Sequence, residues 1–435
     1  MWGIHKRKDR RHSASGPDQR SEFARDRDRI LYSSAFRRLA GITQIVKVGD
    51  EDIFHTRLHH SLKVAQIARR IAEYNRSKPA ARFLKINPEV AEAAALAHDI
   101  GHPPFGHIGE QVLNELVSQT DTDGYEGNAQ SFRILTKLSV RFLDVSGLDL
   151  TRATLAAILK YPWHRDKENS DRERKWGAYK TEEADFRFAR AAFNHTYSQT
   201  AEAALMDYAD DIAYSVHDLE DFHRCNAIPW SLIFADNDGA GVVDRAYRSW
   251  HRAPSDAKER LRIALQTVKE TFEWTFKTEL QRPYDGSTEA RRKLRSLTSR
   301  LIGTYIKAAE PLPEKKICAD KPVIKIEQRR YDEIRVLKAI TRDYIIDNPS
   351  LMAQQLGQKK IIADLFEIIS SEAKVSRPKF LPFRLSDLYS IDGNNPNPAR
   401  FAADCISSLT EQETIKLHAR LTGLSSGSVL DPIVR

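Results

Sequence analysis

The chain has 435 residues, 41% apolar and 29% charged, the balance of a water-soluble globular protein long enough to bury a large core in one to three domains. No apolar run reaches the roughly 18 to 20 residues of a membrane span, and no apolar segment follows the basic start MWGIHKRKDRRHSASG as a secretory signal would. Cys225, Cys318 and Cys405 are scattered without a C-x-x-C pair, which points to a reducing cytoplasm and away from thiolate metal sites or a disulfide frame. The net charge of +8 predicts an anionic partner, either nucleic acid or a polyphosphate nucleotide.

Residues 1 to about 25, with the run HKRKDRR, are expected to form a mobile basic arm. Helical spacing of apolar residues follows in SLKVAQIARRIAEYN, where Leu62, Ala65, Ile67, Ala68 and Ile71 are expected to be buried. NPEVAEAAALAHDI opens on Asn87 as N-cap with Pro88 at the first helical position. TRATLAAILKY, TAEAALMDYADDIAYSVHDLEDF, SDAKERLRIALQTVKETFEWTFKTEL and ARFAADCISSLTEQETIKLHARLTG carry the same spacing. Basic runs at 164–175 and 289–300 read as solvated faces. DNDGAG at 235–240 and ADKP at 319–322 read as loops or a weak domain seam. The one strand candidate is PVIKIE, Pro322 to Glu327. The expected fold is therefore all-α with at most a small β-hairpin. A core over 26–225 is expected, with a helical region over 226–435 packed on the same globule.

The stretch LAHDIGHPPFGHIGE puts His98, Asp99, His102, His107 and Glu110 into fifteen residues beside an apolar helix. Such groups are costly to desolvate unless something pairs with them, and a divalent cation would do so. His60, at the start of its helix, and one Asp near 210 could complete a shell of two imidazoles and two carboxylates with His98 and Asp99. That shell suits Mn²⁺, Mg²⁺, Fe²⁺, Ni²⁺ or Zn²⁺, and it can activate water and polarise a phosphoryl oxygen. Helix geometry selects the aspartate. Leu205, Ala209, Ile212, Val216 and Leu219 form one stripe, while Asp207, Asp210, Tyr214 and Asp218 fall within an opposite arc of about 80°. Asp211 sits at the edge of that arc, so Asp210 is the expected ligand, and the tyrosine among the carboxylates suits a sugar beside a cation.

The order H…HD…D, with RDRDRILYSSAFRRLAGITQIV, HTRLHHSLKVAQIARRIA, LAHDIGHPPFGHIGE, GYEGNAQSFRIL, LKYPW and DDIAYSVHDLEDF in sequence over residues 25 to about 225, resembles the deoxyguanosine triphosphate triphosphohydrolase (dGTPase) family of the HD superfamily of metal-dependent phosphohydrolases. The resemblance implies cleavage of a deoxynucleoside triphosphate to deoxynucleoside and intact triphosphate. Its register favours His60 over His59, because the family's arginine falls on Arg57, and it agrees on Asp210. It also implies His107 as general acid with Glu110 orienting it, and His102 and Arg57 as phosphate contacts. Lys160, Tyr161 and, more weakly, Lys180 are further candidates there. Gln44 is implied at the deoxyribose 3′-hydroxyl, Tyr214 under the sugar, and Asp218 as a further acidic contact. Lys63 stands where relatives often carry Glu. Relatives form hexamers or other symmetric homo-oligomers, and the basic runs would allow single-stranded DNA to bind beside catalysis. The rival readings are an HD nucleotidase or phosphodiesterase acting on another nucleotide, and a non-catalytic nucleic-acid-binding HD protein.

Overall fold

Three-to-four spacing places Val64, Ile67, Ala68 and Ile71 on one face of a helix spanning Arg57–Asn75, and all four are buried. Leu62, expected on that face, is 43% exposed. It precedes Val64 by two residues and so points about 200° away from it. This helix packs against Pro88–Ala97, which starts as the sequence predicts: the Asn87 side chain accepts from the backbone N–H of Glu89 at 2.8 Å and of Val90 at 3.3 Å. The alanine run from Ala93 to Ala97 is buried. Its small side chains let the helices Glu22–Leu31, Arg152–Ile158 and Ala201–Ala213 pack on the same central element.

The computed structural model describes residues 4–12, 16, 18–44, 56–191, 197–234, 239–276, 282–313, 322–345, 349–393 and 396–425. It is all-α apart from one antiparallel pair, Ile324–Ile326 against Ala309–Pro311, with Ala309 opposite Ile326. The expected strand is present; its partner, in KAAEP, carries no strand signal. One apolar cluster runs from Phe23 to Ile340. A second joins Val112, Leu113 and Val117 to Ile362, Leu365, Phe401 and Leu417, so the chain beyond residue 225 contributes to both. None of the helices among the described residues is long and apolar enough to cross a membrane.

Several expectations are corrected. The segment read as a mobile basic arm is docked: Ile4–Lys8 is helical, Arg7 pairs with Glu202 at 2.6 Å, and Arg10 pairs with Asp26 at 2.7 Å and Glu22 at 2.8 Å. Glu202, the buried partner of Arg7, comes from a helix 195 residues along the chain, a pairing the sequence cannot display. The periodic stretch ARFAADCISSLTEQETIKLHARLTG divides into Pro398–Ser407 and Glu411–Leu421. The break is a capping box, in which Thr410 and Glu413 satisfy each other's backbone N–H groups. Of the loops expected at 235–240 and 319–322, residues 235–238 and 319–321 lie outside the described residues, and Gly239 already opens a helix, Gly239–Arg248.

The two clusters are tied together by Arg133, whose guanidinium is buried against Asp404 at 2.7 Å, Glu182 at 2.7 Å and Asp392 at 2.5 Å. Removing one member of such a set leaves buried carboxylates uncompensated, which costs about 3–5 kcal/mol. Arg133→Met should therefore shift the urea unfolding midpoint downward by a corresponding amount, and a midpoint equal to that of the unmodified protein would show that this network is not stabilising.

Candidate metal centre

The turn after Ala97 and the starts of two helices bring the titratable groups together. His98 caps Pro88–Ala97, His60 lies in the first turn of Arg57–Asn75, and Asp210 projects from Ala201–Ala213. His60 Nε2 lies 3.0 Å from Asp210 Oδ1, and His98 Nε2 lies 3.7 Å from the same oxygen. One ligand atom from each of the three residues falls within 4.8 Å of the other two. His98 Nδ1 donates to the Ala95 carbonyl at 2.6 Å, which fixes the tautomer and leaves Nε2 with a free lone pair. That nitrogen is buried and has no hydrogen-bond partner among the described residues. An orphaned buried imidazole nitrogen beside a carboxylate fits a divalent cation. Asp99 adjoins the group, with Oδ1 3.5 Å from His98 Nε2 and 3.1 Å from His102 Nε2, while Oδ2 accepts from Arg57 at 2.7 Å. The turn can only fold this way with glycine at 101, where a Cβ would sit 2.2 Å from the Gly127 carbonyl oxygen.

Charge balance is met locally. Burial pushes the Asp210 carboxyl up, but Lys160, at 3.2 Å, and His60 outweigh it and hold the group well below the usual carboxylate range. Asp99 is likewise raised by burial and held low by His98, Arg57 and His102. His102 is pulled down to about 4, because burial and the Arg57 charge outweigh the pull of Asp99 and Glu110. A second group, His102, His107 and Glu110, lies beside the first. His107 Nδ1 is 3.2 Å from Glu110 Oε2, and its side chain is 77% exposed, so it is not a core histidine. Lys175 reaches Glu110 at 2.8 Å and Glu126 at 2.8 Å. A cation therefore already stands at Glu110, which suits this group to handling protons rather than to holding a second metal.

One cavity of about 360 Å³ is lined by His60, His98, Asp99, His102, His107 and Asp210, and also by Gln44, Arg57, Lys160, Tyr161 and Tyr214. A larger one of about 640 Å³, beside residues 137–146 and 384–391, contains none of these groups. Glu110 is buried just behind His107. Asp218 ends a π-helical turn, Tyr214–Asp218, and stands outside the cavity's lining. It is buried there, and burial and Asp221 push its carboxyl well up. Lys180 is exposed and outside the cavity; Lys175, from a basic run read as solvated, takes part instead. Gln354, Gln355, Gln358, Asn128 and Glu411 also line it; Asn128 falls in GYEGNAQSFRIL, and Glu411 in a stretch whose spacing marks it only as helical.

The HD domain family matches residues 57–215, and the phosphohydrolase-associated domain matches 324–420. A protein of Streptomyces coelicolor named deoxyguanosinetriphosphate triphosphohydrolase-like is 36% identical, covering 94% of this chain and 95% of its own length. Proteins of the same name from Corynebacterium efficiens and Bifidobacterium longum are 34% and 32% identical, covering 94% and 92% of this chain and 93% and 83% of theirs. The chain belongs to the deoxyguanosinetriphosphate triphosphohydrolase-like family. As a member of that family it is a metal-dependent HD phosphohydrolase. The HD match ends one residue beyond Tyr214, while Gln354, Gln355, Gln358 and Glu411 come from the associated domain, so the cavity is built by both.

The twin aspartates differ in surroundings as well as in angle. Asp211 forms a close ion pair with Lys338, away from the histidines, whereas Asp210 faces His60 and His98. Asp210→Ala should abolish bound metal, and Asp211→Ala should retain it; elemental analysis of both purified variants checks this, and a metal-replete Asp210→Ala would remove Asp210 from the shell.

Proposed function

We propose that this hydrolase cleaves deoxynucleoside triphosphates to deoxynucleoside and inorganic triphosphate. The observation that carries the reading is one cavity lined both by the His60, His98 and Asp210 group and by three cations, Arg57, Lys160 and Lys175, with Gln44 and Tyr214 beside them. Three cationic side chains suit a polyanion whose charge must be offset before water can approach phosphorus. His60, His98, Asp99 and Asp210 would hold the divalent ion, which when bound supplies Lewis acidity toward water and a phosphoryl oxygen. The donor set of imidazoles and carboxylates suits Mn²⁺, Fe²⁺, Ni²⁺, Zn²⁺ or Mg²⁺.

Water adds to the α-phosphorus and the bond from phosphorus to the sugar O5′ breaks, so the deoxynucleoside departs through O5′ while the triphosphate keeps the oxygen of the water. A nucleoside alkoxide is a poor leaving group, so a proton must reach O5′ as that bond breaks. His107 supplies it from Nε2, and the carboxylate of Glu110 accepts from Nδ1–H and so orients the ring. Burial raises Glu110, but His107, Lys175 and His102 hold it ionised, as that role needs. Arg57, Lys160 and Lys175 hold the phosphates. Gln44 contacts the 3′-hydroxyl, and the Tyr214 ring excludes a 2′-hydroxyl.

The deciding experiment is a metal-supplemented assay of all four dNTPs and their ribonucleotide counterparts with identification of the phosphorus product. Intact triphosphate from dNTPs and little turnover of ribonucleotides are expected. Orthophosphate or pyrophosphate as product would refute the reading in favour of another HD nucleotidase. Within it, His107→Ala should keep its metal and lose about a hundredfold to ten-thousandfold in kcat, and loss of metal in a folded variant would make His107 a ligand instead.

A further inference from the structure

Three consecutive residues at the start of the helix Glu411–Leu421 touch three points of the segment that carries Gln44. The Leu409 carbonyl accepts from Arg38 Nη1 at 3.0 Å. Thr410 lies so close to Gly41 that a Cβ there would meet its side chain at 2.7 Å, so only glycine fits. Glu411, itself buried, accepts from the Thr43 backbone N–H at 2.9 Å and from the Thr43 hydroxyl at 2.8 Å. The capping box of Thr410 and Glu413 fixes this end of the helix. On its other side Arg38 donates through Nη2 to the carbonyls of Ile100 and His102, each at 2.7 Å, in the turn that carries Asp99. Residues from the phosphohydrolase-associated domain thus grip the segment Arg38–Thr43, which runs from a helical end into an isolated bridge at Thr43.

Gln44, the next residue, lines the cavity, and its Oε1 is buried without a hydrogen-bond partner among the described residues. A buried amide oxygen left so is costly unless a donor arrives with the ligand. We propose that Glu411 is a positioning residue for the sugar end of the substrate: by holding Thr43 through two bonds it fixes the direction in which Gln44 presents that oxygen. The inference rests on the reading of Gln44 as the contact to the 3′-hydroxyl. Glu411 acts through Thr43 and touches no reacting atom.

The test uses full-length, metal-replete protein and the variants Glu411→Ala, Glu411→Gln, Gln44→Ala and the double Glu411→Ala/Gln44→Ala. Hydrogen exchange at the Thr43 amide is measured, together with kcat/KM for the dNTP turned over fastest and for its 2′,3′-dideoxy counterpart. Glu411→Ala should speed exchange at Thr43 and lower the preference for the 3′-hydroxyl roughly three- to tenfold, as loss of one hydrogen bond does, mainly through KM. Glu411→Gln should restore both, since its amide can accept from the N–H and donate to the hydroxyl oxygen. In the Gln44→Ala background, Glu411→Ala should lower the ratio no further. Unchanged Thr43 exchange overturns the grip, even if Glu411→Ala melts earlier. A preference that survives Glu411→Ala but falls in Gln44→Ala overturns the positioning role. If Gln44→Ala leaves the preference intact while triphosphate is still released, the sugar-end role of both residues falls and the triphosphohydrolase reading stands. Absence of turnover with every dNTP overturns that reading and this inference with it.

Discussion

The constraint on which the rest depends is the desolvation of four charge-bearing groups at one point. His60, His98 and Asp99 are buried and Asp210 is largely so. Carboxylates cannot stay ionised in such surroundings without nearby positive charge. Arg57 answers Asp99, Lys160 answers Asp210 and Asp207, and Lys175 answers Glu110 and Glu126. The same side chains that make burial of the acids tolerable are those a polyphosphate would draw upon. On the proposed reading, a phosphate entering the cavity would exchange one anionic partner for another instead of meeting cations that had stood bare.

The region beyond residue 225 is structural to the site rather than appended to it. Phe401, Ile362 and Leu365 complete an apolar cluster with the helix Gly106–Val117, whose first turns carry His107 and Glu110. Arg133 locks the following helix to Asp392 and Asp404. Phe105, at the start of Gly106–Val117, holds a left-handed backbone with φ of 65°, a costly conformation for a bulky residue. Phe105 packs against that cluster; two residues on, His107 lines the cavity, and Glu110 is buried three residues beyond it.

The π-helical turn from Tyr214 to Asp218 borders the cavity at its first residue. Up to Tyr214 the helix obeys ordinary periodicity, so Asp210 and Tyr214 line one cavity as four-residue spacing requires. Asp218, at the end of the wide turn, is buried off the cavity, and its charged form is disfavoured there. Wide turns of this kind are frequent at functional sites.

The sequence by itself determined the helical class, the start of the Pro88–Ala97 helix and the placing of Asp210, rather than Asp211, on the Tyr214 side of its helix. Each follows from local physics: apolar period, a capping side chain and angular spacing along one helix. The tertiary structure decided which long, charged side chains reach the cavity. Lys175 and Lys180 are only five residues apart, and neither sits in a periodic pattern that would aim it; the fold turns one toward Glu110 and leaves the other exposed. The same holds for Arg7 and Arg10, whose carboxylate partners are brought to them by other helices, and for Glu411, which lies 368 residues from Thr43 along the chain. Local periodicity fixes where a helix puts its own face, whereas the partner of a buried charge depends on which distant element packs there, and that is settled only when the whole core closes.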